Sequence, residues 1–90
     1  MKIQVISDAR KKTGFIKLIA GRFKIEAKVY DEPSQYGINN GRISKLWIQN
    51  KNSGKTIANY DRGWDFNHDE LVVKEVVRYL ERLPKVQTPA

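Results

Sequence analysis

The hydrophobic positions of this chain change period along its length, and those changes divide it into elements. From Gly14 the pattern is strand-like: Phe15-Ile16-Lys17-Leu18-Ile19 is short and apolar, and Ala20-Gly21 reads as a turn. Phe23, Ile25, Ala27 and Val29 then alternate with Arg22, Lys24, Glu26, Lys28 and Tyr30. That period of two marks a strand with one buried and one wet face. In Ile43–Ile48, Ser44, Leu46 and Ile48 fall on one face, and Ile43, Lys45 and Trp47 on the other. Large apolar groups on both faces point to a central strand. Asn52-Ser53-Gly54 fits a short hairpin turn, with Gly54 suited to the left-handed position, and Thr56–Tyr60 returns antiparallel.

Past residue 67 the period lengthens to that of a helix. Val72, Val73, Val76, Val77, Leu80 and Leu83 form one stripe, and Lys74, Glu75, Arg78, Glu81 and Arg82 occupy the other side. Asn67 with Glu70 reads as a capping box, so the helix is predicted over His68–Leu83, and Pro84 stops it. The expected architecture is α+β: an antiparallel four-stranded β-meander with one C-terminal α-helix packed across one face (β-β-β-β-α). Residues 1–13 read as a basic N-terminal arm or edge strand, residues 14–83 as the single domain, and residues 84–90 as a flexible C-terminal tail. The eleven residues Asp31–Gly41, DEPSQYGINNG, are the longest irregular stretch.

Length and composition narrow the function classes. Ninety residues make one domain with a small core. There is no cysteine, which removes disulfides and thiolate metal sites. No apolar run approaches the roughly 20 residues of a membrane span, and the first residues lack the apolar run of a signal peptide. The expectation is a cytoplasmic protein with no membrane partner, a monomer or weak dimer. Net charge is +7, and residues 1–28 hold eight basic against two acidic side chains. Clustered charge of one sign attracts polyanions, although a soluble protein with a basic end explains it equally simply.

Candidate chemistry is sparse. His68 is the single histidine; with Asp61, Asp65 and Asp69 close in sequence, a metal site or carboxylate-held base can be drawn. No second histidine and no HExxH or phosphate-cradling glycine pattern supports it, and capping of the helix start accounts for these residues. The expectation is no catalytic, metal or cofactor-binding residue, and no enzyme. Asp61-Arg62-Gly63-Trp64-Asp65 reads as a structural corner: Arg62 pairs with neighbouring carboxylates, Gly63 permits the bend, and Trp64 covers the open end of the core. The outer sheet face is the best functional candidate. Lys24, Lys28, Tyr30, Lys45 and Trp47 should share it, and interleaved cations and rings suit phosphates and stacked bases.

The strings Ser34–Gly37, Gly41-Arg42-Ile43-Ser44-Lys45-Leu46 and Tyr60-Asp61-Arg62-Gly63-Trp64-Asp65 resemble a family of small uncharacterised proteins, a domain of unknown function. The family comes from Gram-positive bacteria and their phage or conjugative elements, and the resemblance spans residues 14–83. It implies a mobile-element setting and no activity. Two functions are therefore expected, in this order. The first is a non-enzymatic protein-interaction or accessory domain that presents Trp47, Tyr30 and the Asp31–Gly41 loop to an unidentified protein partner. The second is a nucleic-acid-binding module that uses the basic outer face and N-terminal arm.

Overall fold

A computed structural model describes residues 1–89. The elements are β1 (Gln4–Ala9), a one-turn helix α1 (Arg10–Thr13), β2 (Phe15–Ala20), β3 (Phe23–Val29), a 3-10 turn (Ile38–Asn40), β4 (Ile43–Asn50), β5 (Thr56–Asp61), β6 (Trp64–Asn67) and α2 (Glu70–Glu81). All six strands join one antiparallel sheet in chain order, and α2 lies across one face. The fold is α+β with a C-terminal helix, but the sheet has six strands where four are expected. The two additional strands are its edges. β1 is exposed along nearly its whole length, so no alternation marks it, and β6 is only four residues long.

The core lies between the sheet and α2. Ile16, Leu18 and Ala20 of β2 pack beside Phe23, Ile25, Ala27 and Val29 of β3, then Leu46 and Ile48 of β4, then Ala58 and Tyr60 of β5. The register sets these residues side by side: Leu18 opposes Ile25, Ile25 opposes Ile48, and Ile48 opposes Ala58. Val72, Val73, Val76 and Leu80 of α2 close the layer, with Val77 and Leu83 at its margin. Each aliphatic side chain buried this way contributes about 1.5–3 kcal/mol before the entropy of ordering is subtracted.

A bulge corrects the facing of β4. Lys28 pairs with Lys45, yet the next residue, Val29, pairs with Ile43, so Ser44 is the extra residue. Ile43 therefore turns inward and is fully buried, and Ser44 joins Lys45 on the outer side. Strict alternation places both on the opposite faces. The helix start is also corrected. Asp69 is the N-cap, its Oδ1 accepting from the Val72 backbone N–H at 3.2 Å. Asn67 ends β6 and its Oδ1 accepts from the Asp69 N–H, while the His68 N–H donates to the Ile57 carbonyl.

Both chain ends are tied down. Arg10, only 2% exposed, holds Asp8 through two parallel bonds of 2.9–3.0 Å and donates to the Pro84 carbonyl. The guanidinium keeps the Asp8 carboxyl below its ordinary pKa. Asp31 accepts from the backbone N–H groups of Val86, Gln87 and Thr88, and its own N–H donates to Thr88 Oγ1. The segment expected to fray at residues 84–90 thus has specific anchors through Thr88; Ala90 lies outside the described residues.

Leu80→Asp or Val76→Asp should unfold the domain. An unpaired buried charge costs several kcal/mol, and a domain of this size holds only about 5–15 kcal/mol in total. Arg78→Asp, on the exposed side of α2, should leave thermal melting by circular dichroism close to that of the parent. Equal melting of Leu80→Asp and the parent would show that the stripe does not face the core.

The tail anchor should be acid-sensitive. The Val86 N–H, aided by those of Thr88 and Gln87, holds the Asp31 carboxyl below the ordinary value of 3.8. A depressed folded pKa means that the anchor contributes fully above that value and is lost as pH falls through the lowered one. The protection of the Val86–Thr88 amides, relative to an unstructured chain at the same pH, should fall below about pH 4 ahead of global unfolding. Protection that persists until the whole domain unfolds would contradict this.

Candidate functional site

α2 covers one side of the sheet, so the residues between the buried positions of β2–β5 form an open face. Three rows cross it. Phe15, Lys28, Lys45 and Asp61 are successive cross-strand neighbours; so are Lys17, Glu26, Trp47 and Asn59, and then Ile19, Lys24, Gln49 and Thr56. Lys24, Lys28, Lys45 and Trp47 share this face as their alternation predicts, and Tyr30 lies beyond the end of β3 at the same side. They are not one cluster: Lys24 lies in the row farthest from the Lys28 and Lys45 pair. Trp47 is half-buried, and its indole N–H donates to Thr56 Oγ1 at 3.2 Å, which holds the ring against the sheet.

Charge on the face is only partly neutralised. Lys17 meets Glu26 at 3.5 Å and Lys45 meets Asp61 at 3.9 Å, all four groups well exposed to water. Surface pairs of this kind are worth about 0–1 kcal/mol, so they do not lock the cations in place. Lys28 leans between two rings, its Nζ 5.6 Å from the centre of Phe15 and 5.5 Å from that of Tyr30.

At one end the face deepens into a cleft of about 410 Å³, lined by Lys28, Tyr30, Ser34, Tyr36, Ser44, Lys45, Asp61 and Arg62. The loop between β3 and β4 builds its far wall. Ser34 N–H donates to the Gly41 carbonyl, Gly37 N–H to that of Ser34, and Tyr60 Oη to that of Tyr36 at 2.8 Å. A side chain at Gly37 would overlap the Gly41 carbonyl, so only glycine lets the loop close on itself. Arg42 fixes the loop's root: its Nε donates to the Tyr30 carbonyl, and its Nη1 to the carbonyls of Glu81 and Leu83. Its backbone N–H meets the Glu81 carboxylate at 2.9 Å.

The corner at residues 61–65 is a tight turn between β5 and β6. Arg62, at φ 61°, adopts the left-handed conformation in this turn, so the bend does not rest on Gly63 alone. Its guanidinium makes no ion pair among the described residues and lies over the Tyr36 ring, 4.7 Å from its centre. Trp64 packs edge-on against Tyr60 at 5.1 Å yet stays 44% exposed, so it covers the core only in part. Asp65 is exposed, 3.4 Å from the Asn59 side-chain amide. His68 stacks on Phe66 at 4.9 Å, and no three His, Cys, Asp or Glu side chains converge among the described residues.

Ser34, Tyr36, Ser44 and Arg62 complete the cleft and are absent from the set that alternation selects. Ser44 is hidden by the bulge. Tyr36 and Arg62 are distant in sequence and meet only because loop and turn fold toward each other.

Residues 10–83 match the family described as Domain of unknown function (DUF7678), and the chain belongs to that family. Neither the curated proteins nor the solved structures contain a match. Among the described residues no helix is long and apolar enough to cross a membrane.

Tyr60→Phe should remove the bond that pins Tyr36 while leaving the ring in the core. The expected loss is about 0.5–1.5 kcal/mol, the net value of one such bond. It should appear in chemical denaturation together with faster amide exchange at residues 34–41. Unchanged stability and unchanged exchange would show that the loop holds its shape without this contact.

Proposed function

We propose that this DUF7678 domain is a non-enzymatic binding module that holds single-stranded nucleic acid along its open sheet face. The observation that carries the reading is the row Phe15–Lys28–Lys45 with its continuation into Tyr30, Tyr36 and Arg62: cations stand beside rings on the sheet face opposite α2. A single strand offers both partners at once, phosphates for the cations and base faces for the rings. A duplex buries its base faces in the stack, where rings on a sheet cannot reach them. The net charge of +7 supports the same partner class. Such a module suits an accessory role on a mobile element, the setting that the GRISKL and YDRGWD strings imply.

The protein-partner reading draws on a different surface. Trp64 stands beside a shallow groove of about 310 Å³, lined also by Ile38, Val73 and Val77. Against the version that uses the Asp31–Gly41 loop, Asp31 is engaged by the tail and Tyr36 is pinned by Tyr60. The open face is the better supported of the two, because it joins charge, rings and exposure in one place.

Trp47→Ala should weaken binding of a fluorescent single-stranded oligonucleotide by about 1–3 kcal/mol if a base stacks on the ring. Lys24→Glu should weaken it for every base sequence and reduce the slope of log affinity against log salt by about one phosphate contact. Both changes leave the inner face untouched, so the variants should stay folded at the temperature of the binding assay. Absence of any oligonucleotide binding by the parent at low salt would end this reading.

A further inference from the structure

We infer that the cleft between Tyr30, Tyr36 and Ser44 is a pocket for a nucleoside monophosphate, either free or as the phosphorylated end of a strand. The inference rests on the nucleic-acid reading for the second source only; the first stands without it. Its volume, about 410 Å³, lies in the range of small-ligand sites and differs in kind from the shallow surface along the rest of the face.

Three observations define the occupant. Lys28, Lys45 and Arg62 line the cleft against a single carboxylate, Asp61. That excess of two positive charges matches a phosphomonoester, which carries about −1.5 to −2 near neutral pH, better than a bridging diester with its single charge. Next, the cations stand beside rings: Lys28 is 5.5 Å from the Tyr30 ring centre, and the Arg62 guanidinium is 4.7 Å from that of Tyr36. A ligand whose phosphate and aromatic base are a sugar apart can use both kinds of group at once.

The third observation is Ser44. It is 7% exposed and lines the cleft beside Lys45, with its hydroxyl among the polar groups of the wall. A serine hydroxyl in a cleft wall can both donate to a phosphate oxygen and accept from a sugar hydroxyl. The β4 bulge creates this position, because regular pairing would send Ser44 into the core. The backbone N–H of Arg62 donates to the Ser44 carbonyl, so the hydroxyl and one of the three cations are held by the same turn. Asp61, paired with Lys45, repels phosphate from its own wall and is free to accept from a sugar hydroxyl.

The test uses the full chain and fluorescence polarisation with four single-stranded probes of one sequence. Two carry a 5′-phosphate or a 5′-hydroxyl, and two carry a 3′-phosphate or a 3′-hydroxyl, each labelled at the opposite end. In parallel, amide chemical shifts are followed on addition of AMP, with inorganic phosphate as control. One phosphorylated end should bind at least about tenfold tighter than its hydroxyl counterpart, as expected when charge-assisted bonds to a terminal phosphate are gained. Alternatively, AMP should shift Ser44 and Tyr36 more strongly than phosphate does, which would identify the free nucleotide as the occupant. Arg62→Gln and Ser44→Ala should abolish either effect while leaving the melting temperature near the parent's. Trp47→Ala should weaken all four probes alike and keep the end preference. Equal affinity for phosphorylated and hydroxyl ends, together with no AMP response, would overturn the inference even if strands bind the open face. Failure of every oligonucleotide with a retained AMP response would instead remove the strand reading and leave the pocket.

Discussion

A sheet has two faces, and this chain supplies one helix to cover them. α2 has twelve residues and a length of about 18 Å, whereas six strands span roughly 24 Å edge to edge. The helix can shield the inner face over the central strands and has nothing left for the other. Most of the aliphatic side chains of β2–β5, from Ile16 to Ala58, are therefore sent inward, and the outer positions, Phe15 and Ile19 among them, must tolerate water without help. Lysines, a glutamate and amphipathic rings meet that demand. The same necessity leaves a broad surface of cations and rings free to meet a ligand, so the functional reading grows out of a packing constraint.

The cleft depends on a second constraint, the bonding of the longest loop. Arg42 joins its root to the carbonyls at the end of α2, Tyr60 pins Tyr36 from the core side, and Asp31 accepts from the backbone of Val86–Thr88. Loops of this length are functional more often than short ones, and this one is held from three directions. Its shape is an extension of the core, so a ligand entering the cleft would meet walls that are already in place. Such preorganisation reduces the ordering cost of binding.

How much of this was legible in the sequence follows from where burial is one-sided. β3 and α2 each bury a single face, so Ile25, Ala27 and Val29 alternate and Val72, Val76 and Leu80 recur at helical spacing. The antiparallel sheet and its C-terminal helix were readable from those two patterns. β6 was not, and β1 was readable only as one of two alternatives, arm or edge strand, because edge strands without a buried face have no reason to alternate. Ile43 and Ser44 were assigned to the wrong sides because a bulge shifts register without any local mark. Asn67 and Asp69 are both good helix caps, and only the strand running through Asn67 decides between them. The placement of Lys24, Lys28, Tyr30, Lys45 and Trp47 on one side was legible. Their partners Tyr36, Ser44 and Arg62 were not, since loop, bulge and turn meet through contacts made far apart in the chain.

The central claim is that the uncovered face of the sheet, and not the helix side, is the working surface. A titration of the isotopically labelled protein with a short single-stranded oligonucleotide, followed by amide and indole chemical shifts, tests it most directly. The account predicts that the Trp47 indole and the amides of Lys24, Lys28, Tyr30 and Lys45 shift together while those of Lys74, Arg78 and Arg82 stay still. Shifts concentrated along α2 and around Trp64, with the sheet face unmoved, would contradict it.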